Sequence, residues 1–299
     1  MSVADRPSAA RIWLMAARPR TLPAAVAPVL VGTALAATGG TFKVLTFLAA
    51  LIGALFIQVG TNLSNDYSDA RRGADTEDRL GPVRVTAGGL VPPRQVLIAT
   101  YVAFAVAVLA GSYLIATAGW ELLLVGAASI LAGVLYTGGP RPYGYEGLGE
   151  VFVFLFFGVV AVAGSYYAQV EALDWEALAL AVPVGLLASA ILVVNNVRDL
   201  ETDRRAGKRT LAVRLGRERA RWLFVAMIAL AFVTAPLPWV LGSLSPWLLL
   251  SWLAIPLAVP LVRTVQTRTD GPSLNGALAG TGQLQLVFCL LLSAGLLAS

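Results

Sequence analysis

A long apolar run in the chain leads directly into acidic residues. Residues 43–65 read KVLTFLAALIGALFIQVGTNLSN, and residues 66–75 continue as DYSDARRGAD. A run of about 20 apolar residues is long enough to cross the roughly 30 Å of hydrocarbon in a bilayer as a helix. Ionisable groups beside such a run are costly unless they are paired, hydrated or bound to an ion. This stretch therefore predicts a membrane-spanning helix that carries a functional polar site at its end.

The composition of the whole chain indicates the same class of protein. Of the 299 residues, 58% are hydrophobic and 13% are charged, and the mean hydropathy is +0.76. We expect an all-α polytopic membrane protein, with about nine transmembrane helices around a central cavity open to the cytoplasmic side. Little chain remains for a soluble part, so residues 1–299 are expected to form one transmembrane domain. The predicted spans are 22–41, 43–65, 94–118, 120–137, 148–170, 176–197, 219–240, 246–264 and 276–298.

The positions of the basic residues predict the orientation. With the N-terminus in the cytoplasm, 21 of the 22 Lys and Arg residues fall in or beside cytoplasmic segments, and only Lys43 lies outside. This is the bias described by the positive-inside rule. We therefore expect a multi-pass protein of the cell (inner) membrane, with its N-terminus and site cytoplasmic and its C-terminus outside. The net charge of +5 belongs to this surface, so no nucleic-acid partner is expected.

Missing residue types narrow the possible chemistry. The chain has no histidine, and its one cysteine, Cys289, lies in the last apolar run. This excludes His-ligated zinc, haem with an axial His, and Ser–His or Cys–His catalytic pairs. Any metal must be held by oxygen ligands, which favours Mg²⁺.

Two polar segments contain the candidate metal ligands. The second segment, residues 195–208, reads NNVRDLETDRRAGK and follows another apolar run. Both segments contain the spacing Asn-x-x-x-Asp, which places these residues on one face of a helix. Two facing sets of carboxylates would repel each other unless cations lay between them, and Mg²⁺ commonly joins one or two carboxylates to substrate phosphate. The predicted metal ligands are Asn65, Asp66, Asp69, Asp75, Asn195, Asp199 and Asp203, and Asp66, Asp69, Asp199 and Asp203 among them are the predicted catalytic residues.

Basic residues near both segments are suited to bind substrate phosphate. Arginine offers a bidentate fork, and lysine a compact charge. Ordinary solvated loops are the other interpretation, but positive-inside sorting requires no carboxylates. The predicted phosphate-binding residues are Arg72, Arg79, Arg198 and Lys208.

Four stretches resemble motifs of the UbiA superfamily of intramembrane aromatic prenyltransferases. They are RPRTLP at 18–23, the segment from Asn62 to Pro82, YTGGPRPYGYEGLG at 136–149, and the segment from Asn195 to Gly216. The resemblance covers nearly the whole chain and implies Mg²⁺-dependent transfer of a polyprenyl chain from its diphosphate to an aromatic acid. Within the superfamily the stretches are similar to members that prenylate 1,4-dihydroxy-2-naphthoate with loss of CO2, in menaquinone biosynthesis. One departure is Gly73, which stands where the superfamily often has Asp, so that the acid follows at Asp75.

The segment 136–149 offers groups that suit an aromatic acid. Arg141, Tyr143 and Tyr145 combine a cation with two phenols on the predicted cytoplasmic face, and Arg18 and Arg20 could also meet a carboxylate. We predict that Arg20, Arg141, Tyr143 and Tyr145 bind the acceptor. The Gly and Pro residues of the segment would also be explained by a simple turn.

Two other functions are compatible with parts of this pattern. One is prenyl transfer to another aromatic acceptor, such as 4-hydroxybenzoate or homogentisate. The other is ion or solute transport, since acids within a helical membrane protein also occur in carriers. Carriers hold their charges near the middle of the membrane, whereas these acids follow the ends of apolar runs. Prenyl length, the number of Mg²⁺ ions and the oligomeric state are not predicted by the sequence.

Overall fold

The computed structural model describes residues 7–74 and 80–299, and the regular structure in these ranges is helical. Three short 3-10 segments, Pro19–Thr21, Tyr143–Glu146 and Pro246–Ala254, join or precede helices, and a π-helical segment, Phe154–Val160, lies within α6. The helices are α1 Ala9–Ala17, α2 Pro23–Thr38, α3 Val44–Arg71, α4 Pro93–Ala118, α5 Glu121–Leu135, α6 Gly149–Val170, α7 Trp175–Arg198, α8 Leu200–Arg205, α9 Leu211–Leu215, α10 Arg217–Thr234, α11 Leu237–Val240, α12 Ile255–Thr267 and α13 Gly271–Leu297.

Seven helical segments of the described chain are long and apolar enough to cross a membrane. They are α3, α4, α6, α7, Arg217–Val240, Pro246–Thr267 and α13. An eighth candidate is the pair formed by Ala9–Thr21 and α2, which bend by 52° relative to each other. The remaining predicted span, 120–137, corresponds to α5, which is apolar but has only 15 residues. Seven of the nine predicted spans therefore correspond to helices of the described chain that are long and apolar enough to cross a membrane.

The helix that carries the first acidic segment extends further than predicted. Helix α3 ends at Arg71 instead of residue 65, so Asn65, Asp66 and Asp69 all lie on regular helix. Its last two turns stay helical because their side chains contact neighbouring loops, as described below. Helix α13 begins at Gly271, before the predicted residue 276, because the Asp270 carboxylate caps it by accepting a hydrogen bond from the Ser273 amide at 2.9 Å.

Helix α7 lies at the centre of the bundle, with 72% of its 18-residue apolar stretch buried. The π-helical segment of α6 crosses it so closely that a Cβ atom on Gly158 would lie 2.6 Å from the Cα atom of Gly185. Only glycine permits this approach. The crossing fixes α6 against the helix that carries the second acidic segment.

The two ends of the bundle differ in chemistry. At one end the side chains of Lys43 and Glu171 form an exposed ion pair at 2.9 Å. Gln169 joins the same loops by accepting a hydrogen bond from the Lys43 amide at 2.7 Å and donating one to the Lys43 carbonyl at 3.1 Å. The acid-bearing ends of α3 and α7 lie at the opposite end, where the fold has placed them side by side.

Replacing Gly158 by alanine is expected to destabilise the bundle. The new methyl group would overlap α7, and overpacking of this kind costs about 1–3 kcal/mol. The unfolding temperature of purified protein in detergent should fall. Gly276→Ala is the matched control, because a Cβ atom there meets no atom within 4 Å. An unchanged unfolding temperature in Gly158→Ala would contradict the close crossing.

Candidate functional site

A cavity of about 470 Å³ enters the bundle from the end where α3 and α7 carry their acidic residues. Amides and charged side chains line its entrance, and small or aliphatic side chains line its interior. The polar residues of its wall include Asn65, Asp69, Arg84, Asn195, Asp199, Asp203 and Lys208. The apolar residues include Gly53, Ala54, Gly111, Leu114, Ile115 and Leu122.

One face of α3 forms a wall along the length of this cavity. Its lining residues recur every three or four positions, from Ala50 through Ile57, Thr61 and Asn65 to Asp69. This spacing defines a single helix face. Ala50 and Asp69 are 19 residues apart, which corresponds to about 28 Å of helix. The cavity wall is therefore nearly as long as the hydrocarbon core of a bilayer.

Asp69 is the most heavily engaged side chain at the polar end. It is 1% exposed, and its Oδ1 atom accepts a hydrogen bond from the Tyr145 hydroxyl at 2.6 Å. Its Oδ2 atom lies 3.4 Å from Arg84 Nη2 and 3.4 Å from Lys208 Nζ. Two cations and a phenol thus offset the cost of burying this carboxylate.

A left-handed turn brings Lys208 to Asp69. Gly207 has a φ angle of 74°, which ends α8 and reverses the chain. The Lys208 amide then donates a hydrogen bond to the Asp203 carbonyl at 2.8 Å. The Lys208 Nζ atom lies 4.7 Å from the centroid of the Tyr145 ring, within the range of a cation–π interaction.

The amides of α3 also connect this wall to other segments. The Thr137 hydroxyl donates a hydrogen bond to Asn65 Oδ1 at 2.9 Å. Asn62 Nδ2 donates to the Ala17 carbonyl at 2.9 Å, and Arg18 Nη2 donates to the Asn62 carbonyl at 3.3 Å. These bonds hold the segment after α1 against α3 and bring Arg18 to the cavity wall.

Asp66 has a different environment from the one predicted for a catalytic metal ligand. Its two carboxylate oxygens accept hydrogen bonds from the amides of Val85 at 3.1 Å and Thr86 at 2.9 Å. Asp66 does not belong to the described cavity wall, because on a helix it points about 100° away from Asn65. It holds the loop that carries Arg84.

The second acidic segment is organised by Arg198. This guanidinium is 2% exposed and donates to both oxygens of Asp199, at 2.8 Å from Nε and 2.6 Å from Nη2. It also donates to Asn195 Oδ1 at 2.8 Å and to Asn275 Oδ1 at 2.7 Å. Arg198 was predicted to bind phosphate, but it lies behind the described cavity wall and orients Asn195 and Asp199, which do line it.

Several other predicted residues lie away from the cavity or outside the described chain. Arg72 is exposed, donates to the Gly139 carbonyl, and stacks 5.9 Å from the Tyr145 ring centroid. Arg20 and Arg141 are exposed and do not belong to the described wall, so the geometry does not bring them to an acceptor. Asp75 and Arg79 lie outside the described residues.

Tyr143 belongs to an aromatic wall beside the polar end. Its ring stacks on Phe152 at 3.9 Å and meets Tyr136 edge to face at 5.5 Å. All three residues line the cavity, and so does Phe156. The Tyr143 hydroxyl donates to the Ala132 carbonyl at 2.9 Å, and burial raises the pKa of this phenol above its usual range. Tyr143 therefore presents its ring to the cavity, while its hydroxyl is bonded to the backbone.

Arg84, Tyr136, Thr137 and Phe152 were not predicted from the sequence. Arg84 reaches Asp69 through a loop whose path depends on Asp66, and no spacing rule gives that path. Tyr136 and Thr137 stood within a stretch already recognised as a motif, so the motif itself was the available signal. Phe152 lies in an apolar run and has no feature that distinguishes it from other phenylalanines.

The donor set at the polar end fits Mg²⁺ that arrives with a phosphate. Within residues 7–74 and 80–299, no group of three or more acidic side chains forms a ready metal cage. Asn65, Asp69, Asn195, Asp199 and Asp203 nevertheless supply only oxygen ligands to one cavity. Mg²⁺ commonly uses one or two carboxylates and takes its other ligands from phosphate and water. Carboxylates divided between two helix ends suit that arrangement.

The chain is similar to known prenyltransferases over almost its whole length. The model of the UbiA prenyltransferase family matches residues 25–297. The 1,4-dihydroxy-2-naphthoate octaprenyltransferase of Mycobacterium tuberculosis is 45% identical over 284 residues, which are 95% of this chain and 96% of the relative. The enzyme of the same name from Escherichia coli is 40% identical over 300 residues, which are 98% and 97% of the two chains.

The fold is also shared with solved structures. A UbiA homologue from Archaeoglobus fulgidus, solved with DMAPP and Mg²⁺, superposes with a TM-score of 0.68. The superposition covers 96% of this chain and 99% of the homologue, at 16% sequence identity. The helical arrangement is therefore similar although the sequences have diverged widely.

Asp66→Asn and Asp69→Asn should separate the roles of the two neighbouring aspartates. In Asp66→Asn an amide N–H would face a buried backbone N–H, and leaving such a donor unsatisfied costs about 1–3 kcal/mol. Asp69→Asn keeps an oxygen for the Tyr145 hydroxyl, and its cationic partners line a cavity that can hydrate them. The unfolding temperature should therefore fall clearly for Asp66→Asn and by less for Asp69→Asn. The reverse order would contradict the loop-holding role of Asp66.

Proposed function

The chain belongs to the UbiA prenyltransferase family, and we infer that it transfers a polyprenyl chain from polyprenyl diphosphate to 1,4-dihydroxy-2-naphthoate. The reaction releases diphosphate and CO2 and gives demethylmenaquinol. The observation that carries this function is a cavity in which an oxygen- and cation-rich entrance leads into a long apolar interior. A prenyl diphosphate likewise has a charged head and a long apolar tail. The acceptor is inferred from the similar enzymes of Mycobacterium tuberculosis and Escherichia coli, whose name gives 1,4-dihydroxy-2-naphthoate.

At the entrance, the side chains are suited to hold the diphosphate and its metal. Lys208 and Arg84 supply positive charge beside Asp69, and hydrogen bonds of charged donors to phosphate are stronger than neutral ones. We propose that Mg²⁺ is held by a set of oxygen ligands on α3, α7 and α8. When bound, Mg²⁺ neutralises the charge that develops on the leaving diphosphate. The proposed ligands are Asn65, Asp69, Asn195, Asp199 and Asp203.

The chain's own residues then orient the two substrates. The apolar wall of α3 accommodates the prenyl tail, so that its allylic carbon lies near Asp69 and Lys208. The rings of Tyr136, Tyr143 and Phe152 offer a stacking surface for the naphthoate beside that carbon. Attack of the electron-rich ring forms the carbon–carbon bond as the bond to diphosphate breaks, and loss of CO2 restores aromaticity. Apolar and aromatic walls keep out water, which would otherwise quench the allylic cation.

We propose an orientation and a span count that the same features support. Helices α2 and α5 would complete nine spans, and residues 1–299 would form one transmembrane prenyltransferase domain. The polar end would face the cytoplasm of a cell whose inner membrane holds the protein, with the N-terminus inside and the C-terminus outside. Support comes from the positive-inside bias and from the position of Lys43 at the opposite end of the bundle from Asp69.

Removal of divalent metal should abolish prenyl transfer. The clustered carboxylates and the diphosphate are all anionic, and Lys208 and Arg84 are too few to neutralise both. EDTA should stop product formation by purified enzyme, and added Mg²⁺ should restore it. The unfolding temperature measured in parallel controls for loss of structure. Full turnover by thoroughly chelated, folded enzyme would exclude the metal-dependent reaction.

The acceptor should be the naphthoate. Purified protein incubated with Mg²⁺, a polyprenyl diphosphate and 1,4-dihydroxy-2-naphthoate should form the prenylated naphthol and release one CO2 per product, as measured by mass spectrometry and CO2 trapping. Parallel reactions with 4-hydroxybenzoate and with homogentisate are the controls. Efficient prenylation of either control with no turnover of the naphthoate would overturn the acceptor and leave the fold and the metal site in place.

Arg18, instead of Arg20 or Arg141, should meet the carboxylate of the acceptor, because it lines the cavity. A hydrogen bond to a charged group contributes about 1.5–3 kcal/mol, which corresponds to about tenfold to a hundredfold in affinity. Arg18→Ala should raise the KM for the naphthoate by this factor and change the KM for the prenyl diphosphate little. Arg141→Ala is the matched control, expected to leave both values unchanged. An increase in the naphthoate KM confined to Arg141→Ala would instead support Arg141, which the sequence predicts, as the residue that binds the acceptor.

A further inference from the structure

A buried carboxyl–amide pair lies beside the cavity and takes no part in the proposed metal or diphosphate binding. Glu150, in the first turn of α6, is 4% exposed, and Asn196 on α7 is also 4% exposed. Asn196 Nδ2 donates a hydrogen bond to Glu150 Oε1 at 2.9 Å. The pair thus joins the start of α6 to the end of α7, at the wall of the cavity.

Burial makes Glu150 a costly residue at this position. Its Oε2 atom is buried and accepts no hydrogen bond from the described chain. A carboxyl group buried without full pairing costs free energy that an apolar side chain would not. A second bond, from the Ser189 hydroxyl to the Glu150 carbonyl at 3.0 Å, fixes the backbone of the same residue. The fold therefore holds a carboxyl group in place where packing alone does not require one.

Glu150 determines which atom of Asn196 the cavity meets. A carboxylate offers only acceptors, so Asn196 must turn its NH2 group towards it. The amide oxygen is thereby left for the cavity, whose wall includes Asn196. Within the part of the chain that the structure describes, no donor reaches Asn196 Oδ1. The wall consequently presents a fixed hydrogen-bond acceptor at this point.

Asn196 lies between the two substrate regions. Its neighbour Asn195 belongs to the oxygen-rich entrance, and Tyr136 of the aromatic wall lies against Gly149, the residue before Glu150. A Cβ atom on Gly149 would lie 3.3 Å from Tyr136 Cε2 and 3.6 Å from its hydroxyl. Asn196 and Tyr136 thus line the same cavity and both lie beside the start of α6.

We propose that Asn196 Oδ1 accepts a hydrogen bond from a ring hydroxyl of the aromatic acceptor, and that Glu150 is the positioning residue that orients this amide. The inference rests on the proposed function, since it assigns one contact within that acceptor site. A site built to bond a substrate hydroxyl discriminates strongly against analogues that lack it, because the site's polar group is then left unpaired. Asn196 is thus a specificity-determining residue for hydroxylated naphthoates.

Two analogues that each lack one hydroxyl provide the test. Inhibition constants of 1-hydroxy-2-naphthoate and 4-hydroxy-2-naphthoate are measured against prenylation of 1,4-dihydroxy-2-naphthoate. In the wild type, one analogue should bind at least about tenfold more weakly than the other, because it lacks the hydroxyl that donates a hydrogen bond to Asn196. In Asn196→Leu this discrimination should disappear, since deleting either partner of one contact gives non-additive losses. The KM for the prenyl diphosphate should stay within about twofold of the wild-type value, well below the effect of a lost hydrogen bond.

Variants of Glu150 separate positioning from structure. Glu150→Leu should reduce the discrimination as Asn196→Leu does, because the amide is no longer oriented. Glu150→Gln, which is nearly isosteric and can still accept the Asn196 N–H, should restore it. If either leucine variant does not fold, judged by unfolding temperature, the alanine variant at the same position takes its place. Rescue by Glu150→Gln would not follow from a purely electrostatic role, since glutamine carries no charge. Loss of discrimination in Asn196→Leu, where Glu150 still fills its space, would not follow from a purely space-filling role of Glu150.

The outcomes distinguish this inference from the function on which it rests. Absence of naphthoate turnover by wild-type protein would overturn the proposed function. Turnover with unchanged hydroxyl discrimination in Asn196→Leu, or with no discrimination in the wild type, would overturn only the role of Asn196. Discrimination lost in Asn196→Leu but kept in Glu150→Leu would remove the positioning role of Glu150.

Discussion

The polar end of this protein depends on the burial of one carboxylate, that of Asp69. Its partners come from three separate loops: Arg84 precedes α4, Tyr145 lies between α5 and α6, and Lys208 follows α8. A carboxylate taken out of water is tolerated only with such partners. The three loops therefore meet at α3 because Asp69 is there, and the entrance of the cavity takes its shape from that requirement.

The same arrangement prepares the site for a charged substrate. Asp69 is held by cations, and Asp199 is held by the buried Arg198. In the proposed complex, a diphosphate with its metal carries charges of both signs, so Lys208 and Arg84 would bond to phosphate and Asp69 would bond to the metal. Arg198 cannot exchange partners so readily, since it also bonds Asn195 and Asn275. The partners of Asp69 thus line the cavity, whereas Asp199 is held by a buried arginine behind the wall.

Sequence patterns predicted the elements of the site better than the direction of individual side chains. Apolar runs located α3 and α7, and the Asn-x-x-x-Asp spacing matches the face on which Asn65 and Asp69 line the cavity. Asp66 lies one position along the same helix and hence on another face, where it binds a loop whose path no local rule gives. Arg198 could not be recognised as a structural residue, because its partner Asn275 is 77 residues away in sequence.

The course of the chain around the first arginines was also beyond local rules. Arg18 adopts a left-handed conformation with a φ angle of 54°, unusual for a residue other than glycine. That conformation separates α1 from the following 3-10 segment and sends Arg18 towards Asn62, while Arg20 faces outwards. Arg18 and Arg20 are chemically identical, so only the tertiary contact with α3 decides which one lines the cavity.

The distribution of charge along the cavity also accounts for why this fold suits a prenyltransferase better than a carrier. The charged residues of the described wall all lie at one end: Arg18, Asp69, Arg84, Asp199, Asp203 and Lys208. Beyond Asn65, the face of α3 continues through Thr61 and Ile57 to Ala50, and its polarity falls with depth. An ion crossing the membrane would need polar partners near the midplane. An amphiphile held by its head needs them only at the entrance, and its apolar tail is stabilised by the remaining wall.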